Sequence, residues 1–175
     1  MSDLQRLFLG FALSDQECES MLKLQKRLGE PGKAVAKANL HMTLAFLGPT
    51  SQAQRHALET ALTTVSLPIF EQRLDTLVHW RGAGVLCLCG EARDPGLIDL
   101  YHECQSLCQT LGLHQSEHSF NPHITLFRKA KHYRMPEWQP EPVILRPQTL
   151  QLYRSNSGPA GVRYEVLKSW PLGRA

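Results

Sequence analysis

A six-residue segment occurs twice in this 175-residue chain: Asn39-Leu40-His41-Met42-Thr43-Leu44 and, 82 residues on, Asn121-Pro122-His123-Ile124-Thr125-Leu126. Asn, His, Thr and Leu are identical at four of the six positions, and Met42 matches Ile124 in character. One His-x-Thr on a strand carries almost no information. Two copies about half a chain apart carry a good deal, because packing selects repeated Leu and Ile but not a polar His and Thr on one face twice.

The chemistry follows from geometry. Side chains two apart on a strand point to the same face, so His41 projects with Thr43 and His123 with Thr125, while Met42, Leu44, Ile124 and Leu126 turn into the core behind them. Two imidazoles and two hydroxyls facing one space suit in-line displacement at phosphorus. One imidazole takes a proton from the attacking water, the other protonates the departing oxygen, and an unperturbed pKa of about 6.5 fits histidine for both tasks. Threonine hydroxyls can donate to the non-bridging phosphate oxygens. A cation beside them would stabilise the charge that develops in the transition state. Arg128, just past the second copy, is the candidate; the first copy has no equivalent cation.

The elements that must position these groups are legible from periodicity and punctuation. Arg6–Leu13 is an apolar run that predicts a buried strand. Ser14 with Glu17 is a capping box, opening a helix whose apolar positions are 18, 21, 22, 24 and 28 and which Gly29 and Pro31 end. Leu40–Leu47 predicts a second strand, and Ser51 with Gln54 caps a second helix ending before Pro68. Phe70–Trp80 and Val85–Cys89 read as strands joined by Arg81-Gly82-Ala83-Gly84. Asp94-Pro95 starts a third helix along Leu97, Ile98, Tyr101, Cys104, Cys108 and Leu111, stopped by Gly112. His123–Phe127 is strand-like, Pro136, Pro140 and Pro142 mark a loop, and Gln148–Arg154 with Val162–Leu167 predict a hairpin around Asn156-Ser157-Gly158. The order β-α-β-α-β-β-α-β-β-β predicts an α+β fold with mixed or antiparallel sheets. It excludes a doubly wound nucleotide-binding fold, which needs serial βαβ units with Gly-rich turns.

Composition narrows the class. Apolar residues are 42% and charged residues 20% of the chain, as in ordinary globular proteins. A net charge of +3 permits an anionic partner without requiring one. An acid at Asp3, an apolar core of only seven residues and no small-residue cleavage site argue against a signal peptide, and nothing approaches the roughly 20 apolar residues of a membrane span. A cytoplasmic protein without membrane contact is the expectation. Five cysteines in apolar surroundings read as buried thiols. Cys104 and Cys108 with His114 and His118 only superficially resemble zinc ligands, because the cysteines continue a helical apolar face and no Cys-x-x-Cys pair supports a site. No phosphate-binding loop for ATP is present.

The pair His41-Met42-Thr43-Leu44 and His123-Ile124-Thr125-Leu126 resembles the paired His-x-Thr-x signatures of the two-histidine (2H) phosphoesterases. The flanking HMTLAFLG and HITLFR, with RLFLGFAL near the N-terminus, resemble the bacterial RNA 2′,3′-cyclic phosphodiesterases, also called 2′-5′ RNA ligases, over essentially the whole chain. The resemblance implies one domain over 1–175, built as a bilobal α+β fold with pseudo-twofold symmetry, sheets lining a central cleft and helices outside. It implies hydrolysis of RNA 2′,3′-cyclic phosphate ends, tRNA fragments among them, to 2′-phosphomonoesters by a monomer with no metal and no cofactor. Reversible, ATP-free 2′-5′ ligation is also implied. By motif order His41 is the proton donor and His123 the proton acceptor, assisted by Thr43 and Thr125, although the near-symmetric repeat does not itself distinguish the two roles. Arg128 matches a substrate-binding arginine, and Phe8 more loosely matches an aromatic that stacks on a nucleobase.

Two neighbouring readings use the same residues: a phosphodiesterase for 2′-5′ linked oligonucleotides or small cyclic nucleotides, and a non-catalytic RNA-binding module of this fold. Two complete His-x-Thr pairs weigh against the second, since binding alone needs no titrating pair. The basic run Arg128, Lys129, Lys131, His132 and Arg134, with Tyr133 inside it and Trp138 beyond, reads either as a track for single-stranded RNA or as a solvated loop.

Overall fold

The computed structural model describes residues 3–174, so residues 1, 2 and 175 of the domain expected over 1–175 lie outside the described residues. The first half opens with β1 (Gln5–Ala12), buried from Leu7 through Phe11 as its unbroken apolar run requires. Ser14 then caps α1 (Asp15–Leu28): its hydroxyl accepts from the Glu17 N–H, and the Glu17 carboxylate accepts from the Ser14 N–H. Such a cap contributes about 1 kcal/mol. Cys18, Met21, Leu24 and Leu28 form the buried stripe, and Gly29 ends the helix at φ +81°. After a two-residue strand β2 (Lys33–Ala34), β3 (His41–Thr50) carries the first motif.

The second half repeats the unit. Strand β6 (Val85–Cys89) leads to α3 (Pro95–Leu111), capped by Asp94 and stopped by a left-handed Gly112, and then to β7 (His123–Arg128) with the second motif. Between the halves run α2 (Gln52–Leu62), β4 (Gln72–Leu74) and β5 (Thr76–Trp80). After them come β8 (Val143–Leu145), β9 (Thr149–Gly158) and β10 (Gly161–Pro171).

The main sheet has the order β10-β9-β1-β3-β7-β6-β5, with β2 attached to β7, while β4 and β8 form a separate pair. All pairings among the described residues are antiparallel. The motif strands therefore lie side by side at the centre, joined at Met42↔Ile124. Reading outward, β1 then β9 on one side answers β6 then β5 on the other, which is the pseudo-twofold. Two of the helices reach across it: α1 packs on β7 and α3 on β3. Buried Gln25 of α1 donates to the carbonyls of Val35 and Leu126, tying the first helix to the second motif strand. Met42, Leu44, Ile124 and Leu126 are buried in the core beneath the motifs, as alternation demands.

The structure departs from the sequence reading in four respects. The strand expected over Phe70–Trp80 is two strands broken at Asp75, because β4 leaves the main sheet to pair with β8. β8 itself was not foreseen, nor was β2. The last hairpin is longer than expected: Asn156, Ser157 and Gly158 are in β9, and the chain turns at Pro159-Ala160 before Gly161, whose φ of +106° suits glycine.

Candidate active site

Antiparallel pairing of Met42 with Ile124 brings His41 alongside Thr125 and Thr43 alongside His123. The two histidines thus occupy one diagonal of a four-residue square and the two threonines the other. Diagonal neighbours in an antiparallel ladder lie about 7–8 Å apart, room for a phosphate group with a hydrogen bond on either side. All four side chains are partly exposed. They line one cleft of about 580 Å³ with Arg6, Phe8, Trp80, Arg128 and Tyr164.

The repeated asparagine explains how the rings are held. His41 Nδ1 lies 2.7 Å from the Asn39 carbonyl oxygen, and His123 Nδ1 lies 2.7 Å from that of Asn121. A carbonyl oxygen only accepts, so both Nδ1 atoms carry a proton. That fixes the tautomer and leaves each Nε2 as the nitrogen with an open lone pair in the neutral ring.

The surroundings of the rings differ. His41 Nε2 is 2.9 Å from the Thr43 hydroxyl, and its ring is braced by Phe8 at 4.9 Å and the edge of Tyr164 at 5.0 Å. His123 Nε2 has no protein partner among the described residues. Its ring meets Trp80 edge-on at 4.8 Å, and Thr125 instead accepts from the Cys87 thiol at 3.6 Å. Gly10 faces Thr43 across β1 and β3 where Cys87 faces Thr125 across β6 and β7. A Cβ on Gly10 would stand 2.7 Å from the Met42 carbonyl oxygen, so that position admits no side chain and Thr43 is left to His41.

Both imidazoles are held below their ordinary pKa, by loss of solvent first and by the Arg128 charge second, against the opposing pull of the asparagine carbonyls. For His41, with His123 also repelling its proton, the value is lowered to about 4. Burial pushes the Cys87 thiol up to about 11, so it is a neutral hydrogen-bonding group.

Of the residues singled out from sequence, His41, Thr43, His123, Thr125, Arg128 and Phe8 all border this cleft. Arg128 is exposed at its rim, with its guanidinium donating to the Tyr164 hydroxyl at 3.2 Å. Phe8 departs from the role expected of it. Its ring is only 4% exposed, stacked on Tyr153 at 4.8 Å and covered by Tyr164 at 5.0 Å, so it stands as a brace behind His41, with no open face for a base. Tyr133 and Trp138 are also spoken for: the Tyr133 hydroxyl donates to the Leu28 carbonyl, and Trp138 carries the Arg27 guanidinium 3.7 Å from its ring centre. Cys104 and Cys108 are fully buried in the core, whereas His114 and His118 are exposed. Among the described residues no three His, Cys, Asp or Glu side chains converge as metal ligands, and no helix there is long and apolar enough to cross a membrane.

Four contributors escaped the sequence reading. Trp80, Cys87 and Tyr164 reach the site through non-local strand pairing. Asn39 carried a signal, its identity in both copies, but its task was not evident. Its side chain donates to the Val162 carbonyl at 2.9 Å and accepts from the Tyr164 N–H at 3.4 Å. It thereby latches the tip of the β9–β10 hairpin, which projects beyond the last residue pairing with β1, over the cleft.

Comparison with known proteins places this geometry among relatives. The sequence pattern of the 2′-5′ RNA ligase superfamily matches residues 14–155. The RNA 2′,3′-cyclic phosphodiesterase of Escherichia coli (strain K12) is 32% identical over 98% of this chain and 99% of its own length. The RNA 2′,3′-cyclic phosphodiesterase of Methanocaldococcus jannaschii is 26% identical over 94% of this chain and 99% of its own. The crystal structure of E. coli LigT complexed with 3′-AMP superimposes with a TM-score of 0.87 at 31% identity, covering 98% of this chain and all of that one.

Proposed function

The chain belongs to the 2′-5′ RNA ligase superfamily, and from that premise we propose that it opens 2′,3′-cyclic phosphate ends of RNA to 2′-phosphomonoesters, with His41 and His123 as its acid and base. One observation carries the reading: the two His-x-Thr pairs meet across Met42↔Ile124 and face one cleft.

The step balances with these groups alone. A water oxygen attacks phosphorus, its proton passes to His123 Nε2, the P–O3′ bond breaks, and the O3′ atom takes the proton on His41 Nε2. Both protons then exchange with solvent. The open Nε2 of His123 supports its role as base. Thr43 and Thr125, on the other diagonal, donate to the non-bridging oxygens, and Arg128 offsets their charge. His41 must carry a proton to act as acid. In the free protein burial, Arg128 and His123 oppose that proton. The negative phosphodiester enters between the rings and favours it again, so the acid is loaded as substrate binds.

The pH dependence follows. The active form has one imidazole charged and one neutral, so kcat/KM is bell-shaped. Since both pKa values lie below the ordinary one, the maximum falls on the acid side of about 6.5. Arg128 lowers both; Arg128→Ala therefore moves the bell toward higher pH as well as weakening binding. A shift toward lower pH would contradict the electrostatic account.

The reading is tested by incubating chelator-treated protein with RNA bearing a 2′,3′-cyclic phosphate and identifying the new end. A 2′-phosphate formed in EDTA is the expected result. Activity lost to EDTA and restored by a divalent ion would overturn the two-histidine mechanism. No turnover, with the RNA bound, would favour a non-catalytic clamp.

A further inference from the structure

Protons for a phosphate are unevenly supplied in the cleft. Both imidazoles carry a proton on Nδ1, so a neutral His41 accepts the Thr43 O–H on its Nε2. Thr43 has no proton to give until His41 is charged. Thr125 stands differently: it accepts from the Cys87 thiol, which leaves its own O–H free. The same count of donors and acceptors brings out one further hydroxyl with an uncommitted proton.

That hydroxyl is on Tyr164, in β10. Its oxygen lies 3.2 Å from the Arg128 guanidinium. An arginine only donates, so the phenol oxygen accepts, and its own proton has no protein partner among the described residues. Tyr164 is half-buried and lines the cleft together with His41, Thr43, His123 and Thr125. It is also firmly placed. Its ring meets His41 and Phe8 edge-on, each at 5.0 Å, and its N–H donates to the Asn39 side chain. Asn39 holds the His41 ring through its own carbonyl, so a single residue sets the phenol and the imidazole against each other.

We propose that Tyr164 is a further catalytic residue, whose hydroxyl, aimed by Arg128, donates to the non-bridging phosphate oxygen on the β3 side while Thr125 serves the one on the β7 side. The proposal rests on the hydrolytic reading and extends it. Charge grows on these oxygens as water adds to phosphorus, so a donor already pointing at them stabilises the transition state without reorganising. The guanidinium polarises the phenol O–H and strengthens it as a donor. Arg128 thereby acts in part through Tyr164. The phenol keeps its proton throughout.

The test uses cytidine 2′,3′-cyclic phosphate and its two phosphorothioate diastereomers, in each of which sulfur replaces one non-bridging oxygen. Tyr164→Phe deletes the hydroxyl and keeps the ring against His41 and Phe8. On the all-oxygen substrate it should lower kcat/KM by roughly ten- to a hundredfold, the scale of one hydrogen bond to a charged oxygen. On the diastereomer with sulfur toward Tyr164 the loss should be several-fold smaller, because sulfur is the weaker acceptor. The other diastereomer should lose as much as the all-oxygen substrate. A residue that only braces His41 would give equal losses on all three, and that result overturns the proposal, as does undiminished turnover of the all-oxygen substrate. Arg128→Ala gives a second reading whether or not Tyr164→Phe folds: its loss should be smaller on one diastereomer, the same one. Equal losses there, or sparing of the opposite diastereomer, overturn the proposal too. Failure of the unaltered protein to open the all-oxygen substrate would instead remove the underlying hydrolytic reading, a distinct result.

Discussion

The two halves of the central sheet carry the same six-residue motif on equivalent strands, yet they build different environments around it. On the β3 side the histidine is enclosed: Thr43 meets its Nε2, Phe8 and Tyr164 pack on its ring, and the Asn39 side chain holds the hairpin above it. On the β7 side the histidine has an open Nε2 beside Trp80, and its threonine is held by a thiol. What is common to both halves is the backbone hold, an asparagine carbonyl on each Nδ1. What differs lies one strand further out, where Gly10 answers Cys87. Duplication supplied two equal imidazoles, and their neighbours made them unequal.

Substitutions can break or sharpen that contrast. The largest effects belong to the rings themselves. His41→Ala and His123→Ala should each lower kcat on a cyclic-phosphate RNA by about 10²–10⁴-fold, the usual contribution of a positioned acid or base. Near wild-type turnover in either folded variant would remove that residue from the chemistry. Next come Thr43→Val and Thr125→Val, each losing one hydrogen bond to a charged oxygen, about 1.5–3 kcal/mol or roughly ten- to a hundredfold in kcat. Thr43→Val also deprives His41 Nε2 of its partner, so it should move the pH optimum, and Thr125→Val should not. An equal displacement by both would show that the halves are less distinct than their contacts suggest.

Asn39→Ala comes below these. It keeps the carbonyl that holds His41 and deletes the latch to Val162 and Tyr164. The expected cost is about 1 kcal/mol per bond lost, appearing as a several-fold rise in KM and faster amide exchange at Val162 and Tyr164. Unchanged exchange there would mean that the hairpin is held by its own pairing. The last effect is on stability and leaves turnover aside. His41 is depressed in the fold, so the unfolded chain binds more protons than the native one below pH 6.5, and stability is lost on acidification toward about 4. Between pH 7 and pH 5 this amounts to roughly 2 kcal/mol. Denaturation of His41→Gln should show an acid loss smaller by that amount; an identical loss would place the cause elsewhere.

Local signals carried much of this architecture. Ser14/Glu17, Ser51/Gln54 and Asp94-Pro95 start the three helices where their chemistry predicts. The repeat alone brought out all four groups of the His–Thr square that lines the cleft, because a two-residue period decides which side chains share a face. The features that escaped depend on partners distant in sequence. Nothing local to residues 70–80 indicates that β4 will pair with β8. Asn156-Ser157-Gly158 has turn-like composition but is drawn into a strand by β10. Phe8 was recognisable as an aromatic near the site, but its burial behind His41 depends on Tyr153 and Tyr164, over a hundred residues away. Trp138 looked like an open platform until Arg27 proved to occupy it.

The central claim is that two histidines from opposite halves serve one transition state. The double variant His41→Ala/His123→Ala, assayed beside both singles on one RNA 2′,3′-cyclic phosphate, tests it most directly. Acid and base acting in a single step predict a double variant only slightly slower than the worse single one, far short of the product of the two losses. Losses that multiply in full would mean that the imidazoles act independently, and would contradict the account.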